Sequence, residues 1–202
     1  MMHLPKFDNA NITNEELAAE QSRLQRQADA LLAATHLKST LADYGTVSPI
    51  EGSYQYGLMV YPDLDLQVIT SQQLSKQTFA QLVGKIAAMD FVRSFSVSDL
   101  VHFSPLHKNR PRGYWLGINI PFDGDTWGID IWLQTAEQAT GDSKAYQQKL
   151  AHITTEQTAA ILQIKYHLIR NNLYGTHYSS VDVYDTVLDG FTSYEAFLGR
   201  NQ

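Results

Sequence analysis

Gly52-Ser53-Tyr54-Gln55-Tyr56-Gly57-Leu58, followed shortly by Pro62-Asp63-Leu64-Asp65-Leu66-Gln67-Val68, is the stretch on which the reading of this chain turns. A Gly-Ser turn enters a short segment closed by Gly57, and a β-like run then opens on two carboxylates spaced i, i+2. Alternate side chains of a strand share a face, so Asp63, Asp65 and Gln67 point one way while Leu64, Leu66 and Val68 point into the core. Two like charges on one face repel, and Asp is depleted in strands. A divalent cation between them resolves the conflict.

Upstream, Thr46 to Glu51 reads as a short strand feeding the turn. Ser53 to Met59 reads as the start of a helix whose first amides, with the Ser53 hydroxyl, suit a phosphate. The plainer reading is a strand-to-helix turn in which Gly52 supplies backbone freedom and Ser53 caps the helix. Downstream, Tyr114 to Pro121 and Thr126 to Gln134 form two β-like runs joined by Phe122-Asp123-Gly124-Asp125, a hairpin connection. Asp130, within Gly128-Ile129-Asp130-Ile131-Trp132-Leu133, is costly in such an apolar strand unless hydrogen-bonded, paired or bound to a cation. Its ordinary alternative is a partly exposed hairpin residue.

Over residues 35 to 135 this combination resembles the polymerase-β-type nucleotidyltransferases: a Gly-Ser turn, a spacer with a second glycine, Asp-x-Asp on a strand, and a third carboxylate on a later strand. The resemblance implies an α+β fold, a mixed β-sheet flanked by helices with a helical C-terminal segment. It implies that Asp63, Asp65 and Asp130 converge as catalytic and metal-binding residues for Mg²⁺, with two ions. It further implies that Gly52 and Ser53 hold the phosphates of a nucleoside triphosphate, and it makes Lys165 a candidate for the same nucleotide, against the plainer reading of a solvated helix face. Asp130 then helps bind the second ion or takes the proton from an acceptor hydroxyl that attacks the α-phosphorus and expels pyrophosphate.

The 202 residues suit one domain or a core with a helical appendage. The only composition shift lies near Thr135, which gives a nucleotidyltransferase-like core over 1–140 and a helical region over 141–202. A formal net charge of -6 argues against broad binding of a nucleic acid backbone. The absence of cysteine excludes disulfides, thiolate catalysis and Cys-ligated zinc. No apolar run has signal-peptide or bilayer-spanning length, so the expectation is a cytoplasmic protein. The histidines lack zinc-site spacing, and no Gly-x-x-x-x-Gly-Lys loop or Gly-x-Ser-x-Gly elbow occurs.

The flanks read as helices. Thr13 and Glu16 offer a capping box for a stripe of Leu17, Leu24, Ala28, Leu31, Leu32 and Leu41 running to Gly45. Packing explains that stripe, and a homodimer contact stays open. Ser75 caps a second helix, residues 92–103 look extended, and Leu106 to Gly113 is a loop with the most basic run, in which Lys108, Arg110 or Arg112 could touch a phosphate or an acceptor. Thr154 and Gln157 open a third helix, and two shorter ones flank Asp189-Gly190. Trp115, Trp127, Trp132, Tyr54, Tyr56 and Tyr61 could line a pocket for a nucleobase or a small hydroxylated acceptor. The expected acceptor is therefore a small molecule. Two alternatives from other classes are a catalytically silent nucleotide-binding or regulatory domain of the same fold, and an unrelated α+β protein with a chance motif.

Overall fold

The structure, a computed structural model, describes residues 12–48, 52–71, 74–103, 111–139 and 148–201. It begins with helix α1 (Asn14–Thr35), where the expected capping box is present: Thr13 Oγ1 accepts from the Glu16 amide at 3.2 Å, and the Thr13 amide donates to Glu16 Oε2 at 2.8 Å. The helix does not run unbroken to Gly45. His36 adopts a left-handed backbone with φ 51°, which ends one helix and starts the short α2 (Leu37–Ala42) on a new axis.

Five strands follow in one mixed sheet: β1 (Thr46–Val47), β2 (Asp63–Thr70), β3 (Ser94–Asp99), β4 (Tyr114–Phe122) and β5 (Asp125–Thr135), in the spatial order β1-β2-β5-β4-β3. β2 and β5 run parallel, and the other neighbours are antiparallel. The β4–β5 hairpin closes through Asp123 and Gly124, with φ of 47° and 79°. A two-residue turn of this handedness needs both central residues at positive φ, which Asp-Gly supplies at low cost. The remaining helices are α3 (Gly52–Gln55), α4 (Lys76–Ala87), α5 (Ala136–Ala139), α6 (Thr155–Arg170), α7 (Ser180–Leu188) and α8 (Tyr194–Arg200). Among the described residues no helix is long and apolar enough to cross a membrane.

Two hydrophobic cores hold these elements. In the first, Leu64, Leu66 and Val68 of β2 and Trp127, Ile129, Ile131 and Leu133 of β5 meet Leu24 and Leu31 of α1 and Phe79, Leu82 and Ile86 of α4. In the second, α6, α7 and α8 bury Ile161, Ile164, Val183, Val187 and Phe197 together with Leu17, Leu58 and Val60. Helix α1 thus contributes to both. The expected boundary at residue 140 lies outside the described residues. Residues 58–60 thread between the cores, with Met59 turned to the first and Leu58 and Val60 to the second.

Burial of a Leu or Ile side chain contributes about 1.5–3 kcal/mol, and the central strand β5 has the least room to relax. Ile131→Ala, at a position with no exposure, should lower unfolding free energy by about 2–5 kcal/mol in urea titration.

Candidate active site

The strand registers set three rungs across the face of the sheet opposite the first core. The first holds Asp63, Gly128, Asn119 and Ser94; the second Asp65, Asp130, Gly117 and Ser96; the third Gln67, Trp132, Trp115 and Ser98. Neighbouring strands are about 4.8 Å apart, so Asp65 and Asp130 stand side by side and Asp63 lies one rung away. The sequence placed these acids on one face, and the parallel pairing of β2 with β5 brings them to adjacent strands.

Each carboxylate is seated where a glycine leaves space. A Cβ at residue 128 would come within 3.1 Å of Asp63 Oδ1, and one at residue 117 within 3.4 Å of Asp130 Oδ1 and 2.6 Å of Trp115 Cζ2. A side chain at residue 52 would collide with Asp65 Oδ2, and Gly52 also holds φ at 69°, a left-handed conformation that L side chains rarely adopt. Gly52 therefore both turns the chain and lets it close over Asp65. The helix expected over Ser53 to Met59 is a single turn, because Gly57 at φ 65° ends it and the Leu58 amide donates back to the Ser53 carbonyl at 2.8 Å. Of the strand expected over Thr46 to Glu51, Thr46–Val47 pairs with β2, the Ser48 amide donates to the Gln67 carbonyl at 2.9 Å, and residues 49–51 lie outside the described residues.

Lys165 departs most from its plainer reading. It is fully buried, and its Nζ donates to Ser53 Oγ at 2.7 Å and to the Leu58 carbonyl at 2.7 Å. Its ammonium also lies 5.6 Å from the Tyr174 ring centroid and 5.9 Å from that of Tyr184. Burial pulls its pKa down, but Tyr174, Tyr184 and the Asp63 carboxylate outweigh this and hold it above the ordinary lysine value. Tyr61, named from sequence only as an aromatic liner, donates its hydroxyl to Asp63 Oδ2 at 3.1 Å and packs edge-on against Tyr174. Burial first, and the nearby Asp63 second, raise the Tyr61 pKa well above its usual value, so it remains a donor at neutral pH. Asp63 is itself pushed well above the carboxylate range, by burial first and then by Asp65 and Asp130.

Other candidates fall elsewhere. Trp127 is fully buried in the first core and cannot line a pocket, while Trp115 and Trp132 are half-buried on the site face. Lys108 and Arg110 lie outside the described residues. Arg112 is directed at the carbonyls of Phe103 and Val101, at 3.4 and 3.2 Å. Among the described residues no group of three or more acidic or histidine side chains is arranged to hold a metal ion by itself.

The chain shares its fold with solved nucleotidyltransferase structures. A chain of the poly(A) polymerase complex GLD-2/GLD-3 matches 91% of this chain at 13% identity with a TM-score of 0.55, and a chain of the GLD-2/RNP-8 complex matches 91% at 14% identity with a TM-score of 0.57. This chain spans 61% and 60% of the length of those two chains. No protein-family model and no curated protein sequence matches it.

The raised Asp63 pKa fixes the sign of a pH effect. A carboxyl whose folded-state pKa exceeds its unfolded value contributes stability that is present at low pH and is lost as pH rises toward the folded value. Asp63→Asn cannot ionise, so without divalent cations its stability relative to wild type should increase as pH is raised from about 5 to about 8. Urea unfolding across that range checks it, and a flat or shrinking difference contradicts the raised pKa.

Proposed function

We propose that the protein transfers a nucleoside monophosphate from a nucleoside triphosphate to an acceptor hydroxyl, in a Mg²⁺-dependent reaction. The observation that carries this reading is the juxtaposition of Asp63, Asp65 and Asp130 on adjacent strands beside a Gly-Ser turn whose serine is held by a buried lysine. The residues fit Mg²⁺. This ion takes oxygen donors and is commonly bound by one or two carboxylates plus substrate phosphates rather than by an all-protein cage, and Asp65 and Asp130 on adjacent strands with Asp63 one rung away supply such donors. Asp63 and Asp65 would hold the ions, with Asp130 contributing to the second. When bound, Mg²⁺ supplies charge neutralisation for the phosphates and the leaving pyrophosphate.

The chain's own groups have distinct tasks. Ser53 Oγ and Gly52 face the triphosphate, and Lys165 acts from behind by fixing Ser53 and the Leu58 carbonyl. Tyr61 occupies Asp63 Oδ2 and leaves Oδ1 over Gly128. Asp130 takes the proton of the acceptor hydroxyl as its oxygen bonds to the α-phosphorus and the bond from that phosphorus to pyrophosphate breaks. The acceptor enters from the β4 side, where the Trp115 ring lies over Gly117 and forms a wall beside Asp130.

The acceptor we favour is a small hydroxylated molecule, because no Lys or Arg occupies the rungs of the site face, whereas a polynucleotide backbone is held by such cations. The comparisons lend this acceptor no support. GLD-2 stands among poly(A) polymerases, and that likeness favours an RNA end as the second reading and leaves the argument from overall charge against nucleic acid without support.

Incubation with Mg²⁺, a nucleoside triphosphate labelled at the α-phosphate and a panel of small hydroxyl compounds and RNA oligonucleotides tests both readings. Asp65→Asn should lose more than about 100-fold in turnover, since even groups that only orient a metal ligand cost 10–100-fold. Full activity in that variant overturns the assignment of Asp65. Mg²⁺-dependent nucleotide binding without transfer to any acceptor would favour the catalytically silent domain.

A further inference from the structure

The edge of the sheet farthest from the Asp-x-Asp strand carries a feature the catalytic reading does not use. β3 is the terminal strand, and no other strand pairs with its outer side among the described residues. Exposed edges are normally blunted by lysine, proline, a bulge or a cover. Ser94-Phe95-Ser96-Val97-Ser98 contains no lysine or proline, and Phe95 and Val97 are each 49% exposed. The Leu100 amide donates to the Gly113 carbonyl at 2.9 Å, and the same register continues along β3 and β4. Hydrogen-bonding direction alternates along an antiparallel ladder, so the amides and carbonyls of Phe95 and Val97 point away from β4.

The strand also reads nearly the same in both directions about Ser96. We propose that β3 pairs antiparallel with β3 of a second copy of this chain, about a two-fold axis at Ser96. This register sets Phe95 opposite Val97 of the second copy, using the outward amides and carbonyls, and Ser94 opposite Ser98. Arg93 precedes the strand and its amide donates to the Asn119 carbonyl at 2.9 Å, off the β3–β4 register, so the pairing runs over Ser94 to Ser98. Asp99 is already bonded to Lys76 at 3.1 Å and to the His102 amide at 3.0 Å, which occupies its carboxylate within each copy. A pairing centred on Val97 instead would place Phe95 against Asp99, so the side-chain pattern selects one register. The interface is isologous and closes at two copies. Its axis is normal to the sheet, so a ten-stranded sheet forms with both carboxylate faces open to the same side. A strand pair this short buries less than the roughly 1,200 Å² of a standard interface, which makes the dimer concentration-dependent.

Sedimentation equilibrium of the full chain tests this without reference to activity. The mean mass should rise toward twice that of the monomer with concentration, and the Phe95 and Val97 amides should gain protection from hydrogen exchange as it does. Phe95→Lys should raise the dissociation constant at least about tenfold. Adding Val97→Glu to that variant should restore dimerisation, because the register sets the introduced lysine opposite the introduced glutamate in both pairs. Both positions are exposed, so thermal melts of the variants should match wild type. A chain that stays monomeric at about millimolar concentration, a dimer indifferent to Phe95→Lys, or a double variant as weak as the single one overturns the proposal.

Discussion

The parallel pairing of β2 with β5 is the constraint on which the rest of the structure depends. It sets Leu64, Leu66 and Val68 against Ile129, Ile131 and Leu133 on one face, and Asp65 against Asp130 on the other. A slip of one residue would turn every acid into the core and every aliphatic side chain out of it, so burial fixes the face. A slip of two residues would keep the faces but lift Asp63 from Gly128 and Asp65 from Gly52. Hydrophobic burial thus selects the parity and the glycine seats select the rung. Like charges on adjacent strands oppose the pairing, and Asp65 and Asp130 add to burial, the larger cause, in holding the Asp63 carboxyl above its ordinary range.

The C-terminal helices hold the site as well as covering it. Lys165 on α6 ties together Ser53 and the Leu58 carbonyl, and Tyr174, which follows α6, packs on Tyr61, which in turn bonds Asp63. The segment between the Gly-Ser turn and the Asp-x-Asp strand is fixed from both sides, with Met59 in one core and Leu58 and Val60 in the other. A buried ammonium with two oxygen partners and two aromatic faces is costly to leave unpaired. Loosening the helical layer would therefore disturb both the Gly52-Ser53 turn and Asp63.

Much of this was legible in the sequence because the relevant patterns have short periods. The alternation in Asp63-Leu64-Asp65-Leu66 gave the two faces, the Asp-Gly pair gave the β4–β5 turn, and Thr13 with Glu16 gave the first helix cap. Two misreadings had signals that local patterns contain. Lys165 lies four residues after Ile161 and three before Leu168, inside the apolar stripe of its helix, so its burial follows from spacing although its charge suggested solvent. Trp127 has the parity of Ile129, Ile131 and Leu133, which places it in the core. The break at His36 and the one-turn α3 depend on tertiary packing and on backbone conformations that composition does not reveal.

The fold leaves the choice of acceptor to a small region. From Asp130 outward, one rung carries Gly117, covered by the Trp115 indole that leans over from the third rung, and Ser96, and the next carries the Asn119–Ser94 hydrogen bond, 3.0 Å. For the proposed reaction, small and neutral groups there set no charge requirement on the incoming molecule, while an indole beside Asp130 favours a flat or apolar face. The same strands lead to the β3 edge, so pairing of two copies brings their acceptor sides toward each other and leaves their nucleotide sides at opposite ends of the joined sheet. An acceptor with more than one hydroxyl could then meet both sites from one side of the sheet. In the proposed reaction the nucleotide is thus held by β2 and β5 in the interior of the sheet, and the acceptor meets it from the β4–β3 border.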